Sequence, residues 1–152
     1  MIYTVNMKSE MIEFLQKERF GSLATLLLND DPHVATVHFA CIPETLAIII
    51  QTSPDSRKYE RIAKLGESKA SFAAGFEEVK TIVAQFDGIV STNVTKEQED
   101  FYLKKFPEKM AKYKTDVFIV FTPTWWRYTD WTKGEGKTIL LSDGTVTVRT
   151  KQ

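Results

Sequence analysis

Ser56-Arg57-Lys58 places a hydroxyl and two cations on the first turns of a predicted helix. The run Leu46-Ala47-Ile48-Ile49-Ile50 ahead of it reads as a buried strand, which continues through Gln51 and Thr52. Ser53 stands where a helix N-cap belongs and Pro54 suits the first helical position. Tyr59, Ile62 and Ala63 fall on one face, and Gly66 is placed to end the helix. Orphan backbone amides, the positive end of the helix dipole, a hydroxyl and two cations would then meet in one small volume. That combination holds an anion, and a phosphate most naturally. Ser-Arg-Lys is also a common solvated helix start, so its weight rests on what the remaining chain builds around it.

Other chemistry is sparse. His33 and His38 are five apart in a predicted strand and so face opposite ways, and no HxxxH or CxxC spacing suggests a metal site. There is no Gly-x-Ser-x-Gly elbow and no Gly-rich phosphate loop; Gly134-Glu135-Gly136-Lys137 lacks the rest of that pattern. Cys41 has no evident base and reads as core packing. Asp30-Asp31 and Glu97-Gln98-Glu99-Asp100 suit a turn and a helix start rather than paired catalytic carboxylates. A phosphate anchor without acid–base or metal machinery points to a borrowed cofactor, which the protein places and tunes.

Around this anchor the pattern predicts a helix over Met7–Arg19, with Met11, Ile12 and Leu15 on one side. Strands follow at Gly21–Leu28, His33–Ile42 and Leu46–Thr52, forming an antiparallel meander through turns at Asn29-Asp30-Asp31-Pro32 and Pro43-Glu44-Thr45. After Gly66 come a short strand, Lys69–Gly75, and a long one, Val79–Thr92, with a bend or bulge at Gly88. Thr95-Lys96-Glu97-Gln98 is a capping box opening a helical stretch to Tyr113, anchored by Phe101, Phe106, Met110 and Tyr113 and broken or kinked at Pro107. Asp116–Asp130 is strongly β in character, and Pro123 suggests an edge or a bend. The chain ends in a hairpin, Thr138–Leu141 and Thr145–Arg149, around Ser142-Asp143-Gly144. Many short strands with two or three helices predict a mainly β fold, an antiparallel barrel of about six strands with flanking helices. The order rules out a doubly wound parallel sheet.

A chain of 152 residues is expected to form one domain, with its core over about 7–131 and the hairpin at 137–149. Lys plus Arg equals Asp plus Glu, 20 against 20, so no bulk charge favours nucleic acid or an anionic membrane. A single cysteine excludes an internal disulfide and fits a reducing compartment. With no leader-like start and no apolar run of spanning length, a soluble cytoplasmic protein is expected.

Taken together, these stretches resemble the FMN-binding split-barrel family related to pyridoxamine 5′-phosphate oxidase. The resemblance covers about Met7 to Asp130 and rests on the order and spacing of several motifs. They are Gly21-Ser22-Leu23-Ala24-Thr25-Leu26, Thr36-Val37-His38-Phe39, Thr52 with Ser56-Arg57-Lys58, Lys69-Ala70-Ser71-Phe72, Gln85-Phe86-Asp87-Gly88, and Pro123-Thr124-Trp125-Trp126-Arg127-Tyr128 with Asp130. It implies a homodimer with FMN in clefts between subunits. Arg57 and Lys58, helped by Ser56, would hold the FMN phosphate. The backbone of Thr36, Val37 and His38 would lie along the isoalloxazine edge with Thr52 nearby, and Gln85 would reach the flavin or its ribityl chain. Trp126, with Trp125 or Arg127, would approach the ring from the partner subunit. One departure matters: the segment after Asp130 lacks the Arg- and His-bearing pattern that grips the substrate phosphate in true pyridoxamine phosphate oxidases.

The expected function is therefore an FMN-dependent oxidoreductase acting on a small substrate with electrons from a nicotinamide nucleotide, and not the vitamin B6 oxidase. No catalytic acid or base is nominated. The alternative is a non-enzymatic flavin- or haem-binding module, with His38 or His33 as the axial ligand for haem. A single-stranded nucleic-acid barrel, reading bases on exposed tryptophans, fits the zero net charge poorly.

Overall fold

The computed structural model describes residues 2–77, 81–109, 115–134 and 136–150. Its elements are α1 (Ile2–Lys17), β1 (Phe20–Leu26), β2 (Pro32–His38), β3 (Ala40–Cys41), β4 (Ile48–Thr52), α2 (Arg57–Leu65), β5 (Glu67–Ala74) and β6 (Ile82–Ser91). They continue as α3 (Lys96–Lys105), β7 (Val117–Asp130), β8 (Gly136–Leu141) and β9 (Val146–Thr150).

The strands make one antiparallel sheet whose path runs β2-β1-β5-β6-β7-β4-β3, with β8 and β9 added as a hairpin beside β7. β2 and β3 are successive halves of one extended stretch, interrupted only at Phe39, whose N–H still bonds Arg19 O at 3.2 Å, one step on from the Phe20–His38 pair. The path thus returns to the stretch where it began. Six lengths of chain close the expected barrel, and the larger strand count comes from the break at Phe39 and from the hairpin. This break also corrects the predicted three-strand meander: β1 and β2 pair, but only β3 reaches β4.

Local chemistry explains most of the elements. β4 is an unbroken apolar run because both its faces are covered. Ile48 and Ile50 join the barrel interior with Leu23, Phe39, Phe72, Phe86 and Phe121, while Ala47 and Ile49 lie under Tyr102 and Phe106. Met7, Met11 and Leu15, spaced at helical repeats on α1, are fully buried in the interior cluster. At the start of α3 the capping box is complete: Gln98 N–H donates to Thr95 Oγ1 at 3.2 Å and Thr95 N–H donates to Gln98 Oε1 at 3.0 Å. The helix stops at Lys105, ahead of Pro107 as expected; Met110 and Tyr113, assigned to the same stretch, lie outside the described residues, as does Val79 of the long strand.

The bulge falls between Asp87 and Gly88, where Thr124 is the extra residue of β7. A side chain at Gly88 would place its Cβ 2.2 Å from Thr122 O, so only glycine permits this approach. Pro123 sits on an interior strand rather than an edge. β7 pairs with β4 through Val117–Phe121 and with β8 through Arg127–Asp130, and the proline occupies the gap between those two pairings. Its missing N–H costs no ladder bond on that side.

Helix α2 begins later than predicted. Ser56, not Ser53, is the N-cap, and Arg57 is the first helical residue. Pro54 takes the second position of a turn instead, with Ser56 N–H donating to Ser53 O at 3.1 Å and Ser53 Oγ to Asp55 Oδ1 at 3.0 Å. Gly66 ends the helix at φ 82°, as its spacing predicts.

Candidate functional site

β2 pairs with β1 on one edge and with no strand of the described residues on the other. On the far side of that open edge stands β4. Ala40 faces Ile49 and Cys41 faces Ile48. Continuing this antiparallel register back past Phe39 sets His38 opposite Gln51 and Val37 opposite Thr52. The two strands diverge there, leaving backbone N–H and C=O groups of β2 unused by the ladder. Beyond Thr52 the chain turns into α2. One split therefore has Thr36–His38 along one side, Thr52 on the other, and Ser56-Arg57-Lys58 at its end.

The donors at that end are poorly satisfied within the protein. Ser56 makes no side-chain cap bond to its helix; its Oγ lies 3.0 Å from Thr52 Oγ1 instead. The amides that open α2 are thus left without the usual capping oxygen. Lys58 is half-buried, and burial lowers its pKa, partly offset by the carboxylate of Asp116 just ahead of β7. Arg57 is exposed. Farther along the helix, Arg61 is committed to structure, donating to Ser68 Oγ, Leu27 O and Asp30 Oδ1. The hydroxyls of Thr52 and Ser56 lie together at the start of α2, next in sequence to the cations Arg57 and Lys58, and groups of these kinds suit a phosphate.

At the other end of β2, His38 is packed between Phe20 and Phe106, at ring-centroid distances of 4.3 and 5.4 Å. Lys109 Nζ lies 3.1 Å from its Nδ1. Burial, with Lys109 and Arg19, lowers its pKa and so favours the neutral imidazole.

Gln85 and Trp126 are not beside these groups. Gln85 is exposed on the outer face of the sheet, in a row running Thr36, Ser22, Ala73, Gln85, Arg127 across five strands. The next row is Val34, Ala24, Ser71, Asp87, Trp125. Small side chains in the middle of both rows leave a depression of about 370 Å³, with Gln85 and Trp125 on its wall. Trp126 has its side chain partly buried against the barrel core, and it is Trp125, 39% exposed, that faces outward. Thr36 alone belongs both to the split and to this outer face.

No protein-family model and no curated protein matches the chain by sequence. Solved structures do match. A pyridoxamine 5′-phosphate oxidase-related, FMN-binding protein from Nostoc punctiforme aligns over 97% of this chain and 94% of its own, at 13% identity and a TM-score of 0.58. A protein of the pyridoxinephosphate oxidase family from Clostridium acetobutylicum, related to general stress protein 26, aligns over 91% and 96% at 14% identity, TM-score 0.64. This chain has the pyridoxamine 5′-phosphate oxidase-like split-barrel fold. The same split barrel is found in the haem storage protein HutZ of Vibrio cholerae, which aligns over 77% of this chain and 89% of its own at 16% identity, TM-score 0.61.

Two residues beside the split carry no local signal in the sequence. Continuing the β3–β4 register sets Gln51 across from His38, and only the fold brings Asp116 to Lys58.

Proposed function

We propose that this chain binds FMN, with its phosphate on Ser56, Arg57, Lys58 and Thr52 and its ring along the Thr36–His38 edge. The observation that carries this reading is the continuity of the split, a β edge unpaired among the described residues that runs into a helix start without a side-chain cap and holding a half-buried lysine. The donor set fits the group: hydroxyls, amides and cations suit a phosphate, and an open backbone edge suits the polar rim of a flavin. FMN when bound would supply hydride or electron transfer. The protein's own part is to anchor, orient and hydrogen-bond it.

On this reading the protein is a cytoplasmic homodimer that reduces a small substrate with electrons from a nicotinamide nucleotide. A second copy would bring Gln85, Trp126 and its neighbours Trp125 and Arg127 towards the ring. The vitamin B6 activity is not carried over, because β8 and β9 occupy the place in the chain where an Arg- and His-bearing segment would be needed. Among the described residues no helix is long and apolar enough to cross a membrane.

The test is the visible spectrum of the purified protein with mass identification of what denaturation releases, then anaerobic reduction by NADPH. A colourless protein that takes up no FMN when offered it defeats the proposal. FMN bound but never reduced leaves a binding module instead of an enzyme. The haem reading is supported by His38, whose burial favours the neutral form of imidazole that ligates metal. A Soret band on adding haemin that disappears in His38→Ala would favour it.

A further inference from the structure

The pairing at the end of β2 places His38 on the open edge. Phe39 N–H donates to Arg19 O, and Leu27 N–H donates to Asp31 O at the far end of the same pairing. Bonded and non-bonded pairs alternate along an antiparallel ladder, so Val37 spends its N–H and C=O on Gly21 while His38 turns its own away from β1. Side chains stand closest in a non-bonded pair, and the Phe20 and His38 rings are accordingly 4.3 Å apart. Phe106 meets the imidazole edge-on at 5.4 Å.

Lys109 then decides where the imidazole proton sits. An ammonium donates and cannot accept, so at 3.1 Å it donates to Nδ1, which must present its lone pair. A neutral imidazole has one N–H, and it is left on Nε2. Nε2 lies across the ring from Nδ1 and has no hydrogen-bond partner among the described residues, and His38 is only partly buried. Burial opposes a second proton, as do Lys109, Arg19 and Lys105; Glu108, ion-paired with Arg19, favours one.

We propose that His38 serves the split as a hydrogen-bond donor through Nε2, to a carbonyl or anionic oxygen of the bound molecule, and that Lys109 is the positioning residue that holds it in this form. The inference rests on the split holding a ligand, with FMN as the first candidate. The same contact selects against haem. Iron needs a nitrogen lone pair, but Lys109 occupies the one on Nδ1 and Nε2 carries the proton. Ligation would break the Lys109 bond and bring an iron cation up to an ammonium.

The experiment uses the full chain labelled with nitrogen-15. It follows the ring nitrogens of both histidines by long-range correlation across a pH series, with His33→Gln to assign them. Without ligand, His38 is expected to show a protonated Nε2 and an accepting Nδ1, and to keep that pattern to lower pH than an ordinary histidine. Lys109→Met should raise the pH at which the second proton adds, and Lys109→Arg, which also only donates, should restore the parent pattern. A merely structural role for Lys109 would move Tm and leave the ring nitrogens unchanged. Haemin should give the parent no Soret band that depends on His38. His38→Phe keeps a ring between Phe20 and Phe106 and should weaken FMN binding about two- to tenfold, the loss of one hydrogen bond. A proton on Nδ1 in the ligand-free protein, ring nitrogens unmoved in Lys109→Met, a His38-dependent Soret band, or FMN affinity unchanged in His38→Phe would each overturn the proposal. A parent that takes up no FMN defeats the function proposed above, and the ring-nitrogen and haemin measurements still decide this inference.

Discussion

Lys58 and Arg57 are neighbours in sequence but unequal in environment, and that inequality predicts how they divide the work of holding a phosphate. Lys58 is half-buried with its pKa lowered by desolvation, so its ammonium is poorly hydrated and gains most when an anion arrives. Arg57 is exposed and keeps its water. A charge-assisted bond at the first site is worth about 1.5–3 kcal/mol, so Lys58→Met should weaken FMN binding roughly 10- to 150-fold. An exposed pair is worth about 0.2–1 kcal/mol, so Arg57→Met should cost only about 1.4- to 5-fold. Methionine keeps the apolar stem in both, which confines the change to the charge. Salt separates them further. At ~1 M the Debye length falls to about 3 Å, which should abolish the Arg57 contribution and leave much of the Lys58 one. Without flavin, Lys58→Met should not destabilise the protein, because the folded state disfavours that charge. The assay is quenching of FMN fluorescence on titration at low and high salt, with Tm of the apo variants alongside. A larger loss in Arg57→Met than in Lys58→Met, or no loss in either, would refute the reasoning.

Gly88→Ala should destabilise by about 1–3 kcal/mol or more, since the added Cβ meets the Thr122 carbonyl at 2.2 Å and neither backbone can withdraw without breaking the bulge; chemical denaturation reads this directly. Thr95→Ala removes one arm of the α3 capping box and should cost about 1 kcal/mol in the same measurement. Burial pushes the Cys41 thiol from 9.0 up to about 12, so the unfolded chain loses this proton at lower pH than the folded one. Its contribution is intact below about pH 9 and is lost as pH rises towards 12, so Cys41→Ala should flatten the alkaline fall in stability; the native thiol should resist a maleimide at pH 8 and react only on unfolding.

What could be read in the sequence was whatever a few neighbouring residues decide. The Ile48-Ile49-Ile50 run, the Thr95-Gln98 box, Gly66 as a helix stop and the bulge at Gly88 each follow from local periodicity or backbone freedom. The break at Phe39 did not, because its β character continues through both halves and the change of partner there, from β1 to β4, is set by strands distant in the chain. Pro54 misled for another reason. Proline fits the first position of a helix and the second of a turn equally well, and the choice fell to Ser53 and Asp55. In the proposed site the Ser56-Arg57-Lys58 cluster could be picked out from sequence because its parts are contiguous, and its role in holding a phosphate is a proposal. The distinction between Lys58 and Arg57 could not, since it depends on burial and on Asp116 across the fold. The Lys109 contact to His38 was invisible for the same reason: β2 and the residues just after α3 meet only in three dimensions.

The distances between the proposed flavin residues themselves argue for two chains. Thr52 lies opposite Val117, and Trp126 is farther up the same strand, about 30 Å away were β7 straight at ~3.3 Å per residue. The bulge at Thr124 bends β7 but cannot fold it back, because β6 stays paired on both sides of it. Gln85 is likewise three strand spacings, roughly 14 Å, from Thr36. A molecule anchored at Lys58 with its ring at Thr36 therefore cannot also meet Trp126 of the same protomer. Either these residues have separate roles, or another copy brings its outer face to the split. The second alternative makes sense of two features at once: the small residues Ser22, Ala24, Ser71 and Ala73, which let a surface approach closely, and the exposed Val34 and Trp125 at either side of them. On that view the barrel is open at β2 because the structure that covers the edge is a flavin and a neighbouring subunit, which is where the proposed function and the proposed dimer become one claim.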